Sequence, residues 1–217
     1  MKEEIMRNAL VKFCVVLISG FTTSSLWAAE ALTDFLARMD KLQNLQAHFV
    51  QTTRDARGIS LQELQGTLTV AKPGKMHWQT QPPYEQLVVS DGDNIWVYDM
   101  DLEQVTIRKM EQRIVETPAL LLSGNSQEIR KNFNVEMKSQ AGKVRFMLTP
   151  NDKSQLFERI ELQYADTLLQ SMRILDAAGQ TTDIIFDGVK TNQKIAANLF
   201  TFIVPEGVDV IDGRHAR

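Results

Sequence analysis

The chain is poor in the residues that usually carry chemistry. Its 217 residues include one cysteine, Cys14, and three histidines, His48, His77 and His215. Cys14 lies inside an early apolar run, so the chain beyond that run has no disulfide, no thiol nucleophile and no thiolate metal site. A lipoprotein-type anchor needs a cysteine at the end of such a run, and Cys14 stands too early. Neither His48 nor His77 has an E-x-x-H or H-x-E partner at metal spacing. No serine stands in G-x-S-x-G, and no glycine-rich phosphate loop is present. Asp91-Gly-Asp-Asn94 resembles the start of a calcium loop but lacks that pattern's later glycine and glutamate, so it reads as a turn. Catalysis has no support in these patterns, and they imply no cofactor or metal. An excess of basic residues is also missing, with 24 Lys and Arg against 27 Asp and Glu. That balance argues against nucleic acid and against retention on anionic lipid by charge alone.

Long apolar runs are equally scarce. Phe13–Phe21 is one, behind the basic segment Arg7 to Lys12 and ahead of Leu26-Trp-Ala28. It is shorter than the about 20 residues of a membrane span and has the pattern of a cleaved secretory signal. Glu3 and Glu4 are unusual there, which a start at Met6 would explain. We expect a signal over residues 1–28, cut after Ala28, with Ala31 as a second site of suitable spacing. The alternative is an amphipathic first helix of a cytosolic protein. Losing three basic and two acidic residues with the signal moves the net charge from −3 to −4. Residues 29–217 then form a single exported domain, held by its core alone.

What is present is a helix followed by many strands. Leu32, Phe35, Leu36, Met39 and Leu42 make one apolar stripe, predicting a helix over Glu30–Asn44. Strand patterns follow at Gln46–Arg54 and Ser60–Val70, then from Lys75, Tyr84–Ser90, Asn94–Tyr98 and Glu103–Lys109. Gly66 inside the second marks a bulge, strong curvature or a close approach. Leu68, Val70, Met76 and Trp78 share one phase, whereas Leu87 to Val89 and Ile95 to Tyr98 are apolar in both. A sheet with one wet face alternates more cleanly, so part of this one must be covered on both sides. Thr117 and Pro118 open a short helix through Leu120, Leu121 and Leu122, which Gly124 ends. Ser126–Asn132 reads as another helical turn. Strands resume at Asn134–Lys138, Lys143–Thr149, Phe157–Tyr164, Leu168–Leu175 and Thr181–Asp187, and Asp212 to Arg217 read as frayed.

This order predicts a mainly β fold, a curled antiparallel sheet with an N-terminal helix and a helical insertion. Such a shape encloses an apolar cavity or an ordinary packed core, and periodicity does not separate them. A carrier of greasy ligands and a non-enzymatic interaction protein with a packed β core both stay open. So does a lipid-interacting sensor or receptor of similar shape, although an anchored receptor would need the missing cysteine.

One further pattern is more specific. Phe49-Val-Gln51, Gln65-Gly-Thr-Leu-Thr-Val-Ala-Lys-Pro73, Trp78, Gln86-Leu-Val-Val-Ser-Asp-Gly92 and Trp96-Val-Tyr98 occur in order. Glu103-Gln-Val-Thr106, Thr117-Pro118, Phe200-Thr-Phe-Ile-Val-Pro205 and Gly207-Val-Asp-Val210 follow. Across these stretches the chain resembles the outer-membrane lipoprotein carrier family of Gram-negative bacteria. The resemblance implies an unclosed antiparallel β-barrel of about eleven strands, with short lid helices over an apolar cavity. It also implies a periplasmic, monomeric carrier of triacylated lipoproteins. Its partners would be an ATP-driven inner-membrane transporter that hands over the cargo and an outer-membrane receptor that accepts it. In the family a basic residue before the turn proline affects transfer; here it is Lys72, where arginine is familiar. Lys72 keeps the charge, loses the planar fork, and is expected to anchor the lid through helix or loop carbonyls. An apolar residue two before the tryptophan is also sensitive, commonly phenylalanine and here Met76, whose flexibility suits a lipid-facing wall. The expected cavity wall is Leu68, Val70, Met76, Trp78, Val88, Trp96, Phe146 and Ile160, with Leu120, Leu121 and Leu122 as lid.

Overall fold

The computed structural model describes residues 23–110, 118–153 and 155–214. Most of the expected signal, Thr117 and His215 lie outside them. The first element is helix α1, Thr23–Lys41. Its stripe behaves as the spacing predicts: Ala31, Phe35, Leu36 and Met39 are buried, and Leu32 packs against the same cluster. The helix ends before the predicted Asn44, and the cause lies far away in sequence. Asn192 donates from Nδ2 to the Lys41 carbonyl (3.0 Å) and accepts the Gln43 amide at Oδ1 (2.8 Å). These bonds satisfy groups that a helix end leaves open and turn the chain into a strand at Asn44.

Six strands follow as a meander: β1 Asn44–Arg54, β2 Ser60–Ala71, β3 Lys75–Thr80, β4 Gln86–Asp91, β5 Asn94–Asp99 and β6 Gln104–Lys109. The helical insertion is a 3-10 helix, Pro118–Ser123, and then α2, Ser126–Asn132, capped by the Asn125 side chain, which accepts the Glu128 amide. A second meander comprises β7 Phe133–Gln140, β8 Lys143–Pro150, β9 Phe157–Ala165, β10 Leu168–Asp176 and β11 Thr181–Thr191. After a short 3-10 turn, Ala197–Phe200, the chain closes with β12, Asp209–Asp212.

The twelve strands of the described residues form one sheet, ordered β12-β6-β5-β4-β3-β2-β1-β11-β10-β9-β8-β7. β1 pairs with both β2 and β11, which joins the two meanders. β7 and β12 stand at opposite edges, so the barrel is unclosed. β12 departs from the expectation. It falls partly where fraying was predicted, and it lies parallel to β6, pairing Val210 with Val105. All its residues are exposed, so no buried face gave it a periodic signature.

Strand partners directly opposite one another share a face, and this assigns the two sides of the sheet. Leu68, Trp78, Val88 and Val97 stand in one row, with Val70 and Met76 beside it. This inner side belongs to the core cluster that includes Phe35 and Met39 of α1 and the three leucines of the 3-10 helix. Val89, Trp96 and Ile107 form a row on the outer side. The turn Ala197–Phe200 packs there against β3 and β4. Phe202 lies 6.3 Å from the Trp96 ring and 6.0 Å from the Tyr98 ring. The mixed alternation of β4 and β5 thus records a sheet covered on both sides.

Candidate functional site

The inner wall is built from alternate residues of neighbouring strands. Leu68, Val70, Met76, Trp78, Val88, Phe146 and Ile160 are each at most 9% exposed and share one cluster. Trp96 is the exception. It points to the outer face under Phe202, and Val97 takes the inner position beside Val88. A run of apolar residues in both phases hides which member faces inward. Leu45 and Phe49 of β1, Leu162 and Tyr164 of β9 and Met172 of β10 join the same cluster. The sequence reading left them out, although Leu45 and Phe49 lie opposite Val70 and Gly66.

Gly66 permits a close approach in this wall. A Cβ there would stand 1.9 Å from the Gln79 carbonyl oxygen and 2.9 Å from Phe49 Cζ. Its absence lets the Phe49 ring lie with its centroid 3.9 Å from that of Trp78.

The 3-10 helix closes over the wall. Leu120, Leu121 and Leu122 are at most 1% exposed, and the helix packs on β2 and β3. Three consecutive leucines point in different directions on such a helix, so burial of all three requires walls on several sides. Polar contacts hold this cover at the turn between β2 and β3. Lys72 donates from Nζ to the Met39 carbonyl in the last turn of α1. Its amide donates to the Gln43 carbonyl (2.9 Å), and the Gly74 amide donates to the Ser123 carbonyl (3.0 Å). An ammonium at a helix C-terminus meets both unpaired carbonyls and the negative end of the helix dipole. Burial pulls the Lys72 pKa below its ordinary value, and the nearby Asp40 carboxylate partly opposes this. Ser126 of α2 donates its hydroxyl to Asp40 Oδ1, tying the two helices together. One turn therefore grips the end of α1 and the end of the 3-10 helix.

The rest of α1 is held across the sheet. Arg38 donates to the Asp166 carbonyl (2.7 Å) and lies over the Phe146 and Tyr164 rings, 5.6 and 5.5 Å from their centroids. Among the described residues no group of three or more His, Cys, Asp or Glu could hold a metal ion, and no helix is long and apolar enough to cross a membrane.

An apolar wall under a helical cover, with a basic residue at the β2–β3 turn, can be compared with known proteins. The family model described as outer membrane lipoprotein carrier protein LolA matches residues 40–203. The chain belongs to this family. An outer-membrane lipoprotein carrier protein of Azotobacter vinelandii is 44% identical over 202 residues, covering 92% of this chain and 98% of that protein. One of Pseudomonas syringae pv. tomato is 44% identical over 173 residues, covering 80% of this chain and 84% of that protein. A solved structure of an uncharacterized conserved protein from Thermus thermophilus has a TM-score of 0.52 at 14% identity. It covers 85% of this chain and 98% of that one; this likeness shows the fold alone. In this chain Lys72 bonds to the end of α1, and Met76 is buried in the core cluster that also holds the leucines of the 3-10 helix.

Proposed function

We propose that the protein is a periplasmic carrier that takes acylated lipoproteins released from the inner membrane, shields their acyl chains against the inner wall, and delivers them to an outer-membrane receptor. Residues 1–28 serve as the export signal, and residues 29–217 are the carrier domain. The observation that carries this reading is the continuous apolar wall under a helical cover whose ends are gripped by one turn. The names of the relatives supply the class of cargo. An ATP-driven transporter in the inner membrane is the donor, and the carrier works as a monomer.

The energetics suit this role. Taking one acyl chain of about sixteen carbons out of a membrane costs on the order of 12 kcal/mol, at ~0.8 kcal/mol per methylene. A soluble carrier must replace most of that burial and still let go. The wall residues and the leucines covering them are nearly inaccessible in this form, so chains enter only when the cover moves. Phe35, Met39 and Leu120 to Leu122 then leave the wall, and acyl chains take their place. Exchange of one apolar surface for another keeps uptake and release near balance. Neither step needs covalent chemistry.

A fluorescent fatty-acyl probe tests the reading. The purified protein should bind it saturably, and a triacylated lipoprotein should displace it. Absence of saturable binding would leave a packed β core whose function lies on its surface.

A further inference from the structure

A second feature of the molecule adjoins the wall and is not used by the grip at Lys72. Between α1 and the adjoining end of β9 and β10 lies a cleft of about 340 Å³. Asp34, Arg38 and Lys41 line it from α1, and Leu45, Tyr164 and Leu169 line it from the sheet. Those three sheet residues are at most 5% exposed and belong to the same cluster as the inner wall. The floor of the cleft is therefore one flank of the apolar interior, while its rim is polar.

Tyr164 is the unusual member. Its ring meets Phe146 edge-on at 5.9 Å and lies beneath the Arg38 guanidinium. The residue is 5% exposed, yet its hydroxyl makes no hydrogen bond among the described residues. A buried hydroxyl without a partner calls for an explanation, because nearly all such groups are paired. Burial raises the phenol pKa far above its usual value, so the group is a proton donor at any physiological pH.

We propose that this cleft binds the polar neck of a triacylated N-terminus, the glyceryl ester and amide carbonyls around the lipidated cysteine, with the Tyr164 hydroxyl donating to one of those carbonyls. This rests on the carrier reading above and deepens it. The neck is the part of such cargo that joins acyl chains to peptide, and the cleft joins the apolar interior to a polar rim. Its volume is at the small end of ligand pockets, enough for the neck and too little for the chains. A free anion fits less well. Arg38 is already committed to the Asp166 carbonyl and the Asp34 carboxylate, and Asp34 adds a negative charge to the rim. Neutral carbonyls need a donor and no net charge.

The test uses Tyr164→Phe, which removes only the hydroxyl, and two ligands. One is a triacylated cysteinyl peptide, and the other is an alkyl-chain fluorophore with no ester or amide. The variant should bind the peptide about tenfold more weakly, the scale of one hydrogen bond. It should bind the fluorophore as the wild type does. It should also melt at or above the wild-type temperature, because the lost hydroxyl has no partner in the unliganded fold. Unchanged affinity for the peptide, equal weakening for both ligands, or a lower melting temperature would each overturn the neck site. A wild-type protein that binds neither ligand would instead sink the carrier reading on which the site rests.

Discussion

Lys72 is the residue at which stability and function are expected to oppose each other. Its ammonium is partly desolvated and spends its bond on the end of α1. Lys72→Leu should still fold, with a small fall in urea midpoint, since leucine removes the cost of desolvating a charge but the bond to α1 is lost. The unliganded, covered form competes with cargo for the wall. Weakening its grip by one charge-assisted hydrogen bond should therefore raise affinity for an acyl probe about tenfold and slow release. Unchanged or weaker binding in a fluorescence titration would remove this role. Gly66 makes the opposite kind of prediction. In Gly66→Ala the new methyl meets a backbone carbonyl, which cannot swing aside. A loss of at least about 2 kcal/mol is expected, read as a lower urea midpoint; an unchanged midpoint would contradict the close approach. His77, half-buried on β3, has its pKa held below 6.5 by desolvation. The unfolded chain then takes up that proton first as pH falls. The contribution is complete above 6.5 and is lost on the acid side. His77→Gln should flatten the fall in urea midpoint between about pH 6.5 and pH 5, and an identical slope would exclude the effect. Trp96 shows the limit of reading single residues. Its neighbours are apolar in both phases, and only Phe202, about a hundred positions away, decides which side it takes.

At the scale of elements, opening as proposed parts α1 from a second unit, the 3-10 helix with α2. It is tied to α1 by Ser126 and Asp40 and to the β2–β3 turn by Gly74 and Ser123. Replacing Asp40 and Ser126 with cysteines, in a Cys14→Ser background, should allow a disulfide that holds the cover shut. Oxidised protein should then take up an acyl probe at least about tenfold more slowly, with reductant restoring the rate. Equal uptake in both states would show that the cover does not open between these helices. Elements with a buried face were legible from periodicity. The stripe on α1, the strands and the leucines of the 3-10 helix all appear in the structure. The errors lie where distant partners decide. Asn192 ends α1 three residues early, and β12 gains its order from the β6 backbone without burying a side chain.

The whole molecule is a sheet covered on both sides for different reasons. The C-terminal segment packs on the outer face through Phe200 and Phe202. On the inner face, α1 and the 3-10 helix cover a wall of the same chemistry as the proposed cargo. The sheet keeps open edges at β7 and β12, and charged side chains such as Lys138 and Asp209 stand on those strands, which discourages pairing with other chains. The curled sheet and its family were legible from motifs taken together. The state of the interior was not, because a cavity and a packed core require the same alternation. Among the described residues the wall is covered by the protein's own side chains, which makes displacement the central claim. It is tested most directly by diluting a radiolabelled triacylated lipoprotein out of detergent with and without the purified protein, then sedimenting the aggregates. The account predicts that the lipoprotein stays in the supernatant as a saturable complex with the protein. Equal sedimentation in both samples would contradict it.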